Sequence, residues 1–258
     1  MSLNMSLILG HPRSDSFCHA IAATAITTLR TNGHVVAFHD LYAEGFHPLV
    51  TAEESRTRVS DDPLVEQHCT ELTRAEGLIV VHPNWWGYPP AILKGWIDRV
   101  IRPGVAYELA VEESGARTLH VGRLYVRTAF VFNTSDTPLG DFRKSFYRLV
   151  CLLALPLRCR CGDITVLCAL RSVLIRSQHP ARYWVNSLPE NALEQEQTRF
   201  GDTLGSLWKH YIAPLSGIPD LHRHVFSVMA TSTPAMRAAW LEDVRTMIHH
   251  AFPATPPV

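Results

Sequence analysis

Short apolar runs alternate along this chain with segments of helical periodicity, and this alternation constrains the fold more than any other feature. Residues 7–9, 34–38 and 77–81 are apolar almost throughout, as strands buried on both faces of a sheet are. Similar runs at 124–132 and 225–230 predict a fourth and a fifth strand. Strands that alternate with helices predict a parallel sheet covered by helices on both faces.

The predicted helices carry terminal signals in the sequence. Ser16 is a capping residue, and Gly33 stands where a left-handed residue ends the same helix. The apolar face of this helix consists of Phe17, Ile21, Ala25 and Leu29. Pro89-Pro90 opens a later helix, and Thr233-Pro234 opens the last one. Five strands with crossover helices predict an α/β, doubly wound, five-stranded parallel sheet in flavodoxin-like order.

Residues 139–189 break this pattern. They contain eight basic and two acidic side chains, and they hold four of the six cysteines. No helical or strand period persists across them, and an unstructured connection of this length is unusual in a compact domain. We therefore interpret residues 1–258 as a single domain with an insertion of unknown structure after the fourth strand.

Composition excludes several classes of protein. Lys and Arg together number 24, as do Asp and Glu, so the chain lacks the basic excess of a nucleic-acid-binding protein. Its longest apolar run is too short to span a bilayer. The amino terminus lacks a basic start, so we expect a cytoplasmic protein. The cysteines lack the paired spacing of a zinc site, so we expect reduced thiols and no metal.

Ligands of open α/β sheets bind beyond the carboxyl ends of the strands. The loop at 10–17 reaches that edge after the first strand and leads into a helix. Backbone N–H groups at a helix start favour an anion, with Ser14 and Ser16 as further donors and Arg13 as a cation. Asp15 opposes a phosphate unless it points outward. The same residues are also ordinary helix caps, and the sequence leaves both readings open.

Two more loops reach the same edge. Residues 82–90 include Trp85, Trp86 and Gly87 among three prolines and a tyrosine, which suits a wall against a planar aromatic ligand. Packing in the core or in an interface would explain the tryptophans equally well. Residues 133–138 are polar and turn-prone, and they complete a site at this edge or form an ordinary loop.

Three segments, 10–17, 40–46 and 83–100, together resemble the flavodoxin-like NAD(P)H:quinone oxidoreductase family. The resemblance continues through 103–108, 133–138 and 200–208, and then through the last strand and helix. It implies a homodimer that binds one flavin, FAD or FMN, in each subunit. The matching positions at the flavin phosphates are His11, Ser16 and Phe17. Those at the flavin ring are Pro83, Asn84, Trp85, Trp86 and Gly87.

The sequence also departs from the family pattern at several positions. Cys18 replaces an asparagine that many relatives carry. The family's Thr-x-Gly-Gly loop with a following Tyr and His is replaced by residues 133–138, so those two catalytic residues have no counterpart here. Asn133, Thr134 and Ser135 are expected at the far edge of the ring. Tyr107 is the candidate contact to substrate, and no catalytic residue is assigned.

The activity implied is that of an NAD(P)H dehydrogenase (quinone). Hydride would pass from NAD(P)H to the flavin and then to a quinone-like acceptor, with ping-pong kinetics because both substrates share one face. The alternative is a flavin-binding electron-transfer or regulatory subunit without fast quinone turnover. The choices between FMN and FAD, and between NADH and NADPH, remain open.

Overall fold

The computed structural model describes residues 1–111, 117–135, 202–227 and 229–254. Its main sheet has five parallel strands in the order β2-β1-β3-β6-β7. The strands are β1 (Asn4–Leu9), β2 (Val35–Asp40), β3 (Gly77–Pro83), β6 (Thr128–Ser135) and β7 (Asp220–Ser227). A separate antiparallel pair consists of β4 (Tyr107–Val111) and β5 (Arg117–Gly122). The predicted doubly wound, flavodoxin-like sheet is confirmed.

Helices cover both faces of this sheet. They are α1 (Phe17–Thr31), α2 (Ala52–Thr57), α3 (Pro63–Arg74), α4 (Ala91–Val100), α5, and α6 (Pro234–Ala251). Helix α5 runs through an α segment (Thr203–Gly205), a π segment (Ser206–Ile212) and a second α segment (Ala213–Ser216). No helix among these described residues is long and apolar enough to cross a membrane.

Alternate residues along each strand pack into two separate cores, as the pleat of a strand requires. Ile8, Val80 and Val131 face the core that α3, α4 and α5 complete. Leu7, Val81 and Phe132 face the core that α1 and α6 complete. The two largest fully buried side chains, Trp96 and Trp208, belong to the first core.

The helix signals in the sequence are confirmed. The Ser16 side chain accepts a hydrogen bond from the backbone N–H of His19 and so caps α1. Gly33 has a φ of 85°, and Thr233 caps α6 by accepting from the Met236 N–H. Helix α4 approaches its neighbours closely, since a Cβ at Gly95 would lie 2.2 Å from the carbonyl oxygen of Pro48.

All five strands differ from their predicted bounds at one end or both, and the fourth and fifth differ most. The fourth parallel strand begins at Thr128 rather than at residue 124, although Leu124 and Val126 are buried. The fifth ends at Ser227 and begins at Asp220, earlier than the predicted 225–230. Buried side chains therefore also occur in the coil before β6. The predicted insertion at 139–189 lies entirely outside the described residues.

Candidate functional site

The carboxyl ends of β1, β3 and β6 open into a cleft of about 270 Å³. Three loops contribute to it, as the sequence predicts, together with the segment before α6. The expected residues that line it are His11, Ser16, Phe17, Cys18, Pro83, Asn84, Trp85, Thr134 and Ser135. Further lining residues are Arg13, Asp15, Met229, Ala230 and Arg237.

The end of the cleft at α1 suits an anion. The first turn of α1 contains no acidic residue, so the N–H groups at its start keep their partial positive charge. Asp15 also lines the cleft, but it is exposed and its carboxylate pairs with Arg13 at 3.0 Å. Arg237 donates from Nε to the Ser232 hydroxyl and from Nη2 to the Met229 carbonyl, and these contacts hold its guanidinium at the cleft.

The other end of the cleft is formed by a tight turn. Trp85 and Tyr88 exchange two backbone hydrogen bonds of 3.0 Å, and the two residues between them, Trp86 and Gly87, have φ values of 57° and 81°. Positive φ at both central positions matches a type I′ turn. The Trp86 side chain is 98% exposed, and that of Trp85 is 43% exposed. A tryptophan in left-handed backbone costs about 1–2 kcal/mol, and such strain clusters at functional sites.

Helix α5 holds this turn in place. The Thr203 hydroxyl donates to the Gly87 carbonyl at 2.6 Å, and the Asn84 side-chain oxygen accepts from the Gly87 N–H at 2.9 Å. A Cβ on Gly87 would lie 2.7 Å from the Thr203 hydroxyl oxygen. Glycine is therefore required here both for its backbone angle and for the space that Thr203 occupies.

Four of the expected flavin-binding residues do not line the cleft. Ser14, Trp86 and Gly87 lie in the loops beside it. Asn133 is fully buried, donates from Nδ2 to Nε2 of His82 at 2.8 Å, and accepts from Arg223 at 3.3 Å. Its side chain therefore supports the site from beneath, and its place at the far edge of a flavin ring stays a prediction. The sequence alone could not reveal these contacts, because His82 and Arg223 lie on the two strands that flank β6 in the sheet and are far from Asn133 along the chain.

The histidines near the cleft are in different states. His82 is completely buried, which lowers its pKa to about 4, and its Nδ1 donates to the Pro83 carbonyl. It is therefore neutral near pH 7 and has no open path to a ligand. Burial also lowers the pKa of His11, whose Nδ1 accepts from the Arg13 N–H.

Two other expected residues have specific environments. Burial raises the pKa of Cys18 to about 12, and its thiol lies 3.3 Å from the Thr134 hydroxyl. The thiol is thus an uncharged part of the wall. Tyr107 lies at the start of β4 and lines a second cavity of about 230 Å³ with Arg58, Arg99 and Arg102. Within a single chain it does not reach the first cleft.

A third group of polar residues lies at the end of β2. Ligand atoms of His39, Glu44 and His68 lie within 4.8 Å of one another, close enough for a metal ion. However, the indole N–H of Trp96, which can only donate, bonds to Nδ1 of His68 at 2.9 Å. The proton of neutral His68 must then be on Nε2, which donates to Glu44. A metal-binding histidine instead uses its bare nitrogen for the metal and donates from the other, so a hydrogen-bond network fits better.

This network makes stability depend on pH. Burial alone would lower the pKa of His39, but hydrogen bonds to Glu44 and Glu71 outweigh it and raise the pKa. Its stabilisation is therefore complete below the unfolded pKa of about 6.5 and is lost as pH rises through the folded value. Urea unfolding of the wild type at increasing pH should show this loss, and His39→Gln should remove it.

The exposed residue His250 provides the control for this prediction. His250→Gln removes a histidine without touching the network, so it should retain the wild-type slope of unfolding free energy against pH. An unchanged slope in His39→Gln would contradict the assignment of a charged His39.

The sheet order and the cleft at its carboxyl edge define a doubly wound α/β protein. The chain belongs to the family with the flavodoxin-like fold, whose family model matches residues 4–149.

Similar proteins include an uncharacterized NAD(P)H oxidoreductase of Haemophilus influenzae, 36% identical over 117 residues, which cover 43% of this chain and 57% of that protein. NAD(P)H dehydrogenase [quinone] 1 of Cavia porcellus is 33% identical over 125 residues, which cover 40% of this chain and 45% of that protein. The chain thus spans about half the length of these relatives. In fold it is similar to the NAD(P)H:quinone oxidoreductase from Methanothermobacter marburgensis, with a TM-score of 0.59 and 19% identity over 97% of this chain and 100% of that chain.

Proposed function

We propose that this protein is a flavin-dependent NAD(P)H:quinone oxidoreductase that acts as a homodimer, with FAD or FMN in the cleft. The observation that carries the proposal is the cleft itself, which joins an anion-binding helix start to an exposed double-tryptophan turn. A flavin has the matching shape, a phosphate-bearing tail attached to a flat aromatic ring. Residues 1–258 would form one domain around it, interrupted at 139–189.

The residues at the helix start fit the tail. Free N–H groups of the first turn of α1 and the Ser16 hydroxyl can donate to phosphate oxygens. Arg237 supplies a positive charge, and its two hydrogen bonds to the segment before α6 limit its motion. His11 and Phe17 would form the apolar and aromatic sides of this end.

The residues at the turn fit the ring. The indole of Trp85 offers a half-exposed flat face, and backbone groups from Pro83 to Gly87 can bond to the ring edge. Thr134 and Ser135 close the far side, with the neutral Cys18 thiol behind Thr134. The turn needs no rearrangement to present these groups, because Thr203 and Asn84 already hold it.

When bound, the flavin supplies a ring that accepts a hydride from NAD(P)H and delivers it to a quinone. The protein binds, orients and shields the reacting groups. His82 is buried and neutral, and its Nδ1–H donates to the Pro83 carbonyl, so it does not supply a proton to a substrate. Tyr107 lies outside the cleft of its own chain, so its expected contact with substrate requires the second subunit of the homodimer.

The names of the relatives support the reaction class. Two of the matching proteins are called NAD(P)H oxidoreductase and NAD(P)H dehydrogenase [quinone]. A protein of similar fold, an FMN-dependent NADH-azoreductase of Bacillus anthracis (TM-score 0.55, 11% identity), has been solved in complex with FMN.

The direct test is the visible spectrum of the purified protein. We expect flavin absorbance, release of FAD or FMN on denaturation, and oxidation of NADH or NADPH that depends on an added small quinone. Flavin binding without quinone turnover would favour an electron-transfer or regulatory role. A colourless protein that binds neither flavin would contradict the proposal.

A further inference from the structure

Three side chains form a hydrogen-bonded chain from the cleft into the protein. The Ser16 hydroxyl lies 2.9 Å from Nδ1 of His19, and Nε2 of His19 lies 3.0 Å from Oδ2 of Asp40. Ser16 lines the cleft, whereas the side chains of His19 and Asp40 are about four-fifths buried. His19 therefore connects the anion-binding end of the cleft to a carboxylate behind it.

The carboxylate determines where His19 carries its proton. Oδ1 of Asp40 accepts hydrogen bonds from the backbone N–H groups of Tyr42 and Ala43, which fix the side chain. Oδ2 is then directed at Nε2 of His19, and a carboxylate can only accept. Nε2 must consequently carry a proton in both the neutral and the charged form of His19.

The state of Nδ1 then decides what Ser16 can offer to a ligand. In neutral His19, Nδ1 has no proton, so the Ser16 hydroxyl donates to it and turns only lone pairs toward the cleft. In charged His19, Nδ1–H donates to Ser16 Oγ, and the hydroxyl proton becomes available to a ligand. An anion in the cleft gains a donor and a nearby positive charge only in the second state.

Other charged groups surround this chain. The His11 ring, in the loop before α1, lies 6.3 Å from that of His19, and Arg13 and Asp15 act electrostatically on His11. Arg13 and Asp15 pair with each other, and Arg237 lines the cleft from α6. The arginines stay charged at all pH values of interest, so they add a constant attraction for an anion. His19 is placed to add an attraction for the anion that depends on pH.

We propose that His19, oriented by Asp40, couples the binding of the flavin's phosphate group at Ser16 to the uptake of a proton. This inference rests on the proposed function and deepens it. His19 and Asp40 are positioning residues, because they act on the phosphate through the Ser16 hydroxyl. Neither was singled out from the sequence, since their partnership spans 21 positions.

The test is the affinity of the apoprotein for FAD between about pH 5.5 and 8.5, the range in which histidines ordinarily titrate. FAD is the probe because a phosphate monoester such as that of FMN itself titrates near pH 6. We expect the dissociation constant, measured by quenching of flavin fluorescence, to rise about tenfold across this range, as the loss of a hydrogen bond to a charged group predicts. Riboflavin, which lacks a phosphate, should bind with no such dependence.

Asp40→Asn separates this mechanism from a merely structural role. The asparagine oxygen can keep the two backbone N–H groups, while its amide donates to Nε2 of His19. The proton of neutral His19 then moves to Nδ1, and the Ser16 hydroxyl is free at every pH. We expect the variant to bind FAD at high pH more tightly than the wild type does at the same pH, because the donor is restored without the charge, whereas structural damage would weaken binding throughout.

His19→Gln is the second variant, because it removes the titratable ring between Ser16 and Asp40. It should bind FAD without pH dependence. Calorimetry of the wild type in two buffers of different ionisation enthalpy should also show proton uptake with FAD and none with riboflavin. FAD binding that is independent of pH and releases or takes up no proton would overturn the inference and leave the proposed function intact. Failure to bind either flavin at any pH would overturn both.

Discussion

Arg99→Met should destabilise the protein by about 3–5 kcal/mol, the usual cost of removing one partner from a buried ion pair. The Arg99 guanidinium is 3% exposed and bonds to Glu54, to Asp62 and to the carbonyl of His47. It thus fastens α4 to the segment that contains α2. Methionine keeps the length and apolar character of the stem but leaves the Glu54 carboxylate, which is 10% exposed, without its cation.

Urea unfolding measures this loss, and the same helix provides the control. Lys94 and Asp98 on α4 form an exposed pair at 2.5 Å, and exposed pairs contribute only about 0–1 kcal/mol. Lys94→Met should therefore change the unfolding free energy little. Equal losses in the two variants would contradict a special role for Arg99.

Gly87→Ala should weaken flavin binding by at least about tenfold. An alanine in left-handed backbone costs about 1–2 kcal/mol, and its Cβ would also lie 2.7 Å from the Thr203 hydroxyl oxygen. Relief of this overlap requires Thr203 to give up its hydrogen bond to the Gly87 carbonyl, which frees the turn that carries Trp85. Fluorescence titration with FAD and FMN measures the effect.

Gly104→Ala is the matched control for this variant. Gly104 has a φ of 85°, close to that of Gly87, but apart from its chain neighbours no atom of the described residues lies within 4 Å of where its Cβ would be. Gly104→Ala therefore carries the same cost of left-handed backbone as Gly87→Ala, but its new Cβ overlaps no side chain. If the Gly87 and Gly104 variants bound flavin equally well, the support of the turn by α5 would be unimportant.

The sequence predicts those parts of the fold that depend on local patterns. Ser16 and Gly33 mark the ends of α1 because capping and left-handed backbone are properties of a few neighbouring residues. The shifted boundaries of β6 and β7 have a different cause. Leu124 is buried in the coil before β6, and the polar residues that begin β7 belong to a strand at the edge of the sheet. Burial depends on tertiary contacts that an apolar pattern does not contain.

The candidate site divides in the same way. The loops that meet at the cleft are predictable, because the ends of parallel strands share one edge of the sheet. The contacts that support these loops from beneath cannot be predicted from the sequence. Asn133 is held by His82 on β3 and Arg223 on β7, and Gly87 depends on Thr203, which is 116 positions away. No periodicity within one segment encodes such pairs.

The left-handed Trp86 has a consequence for efforts to make this protein more robust. A glycine or asparagine would adopt its backbone angle with less strain, and its indole gains nothing from the fold, being 98% exposed. A screen that ranks variants by melting temperature alone would therefore favour replacing it. Selection for heat tolerance and selection for catalysis should pull this one position in opposite directions.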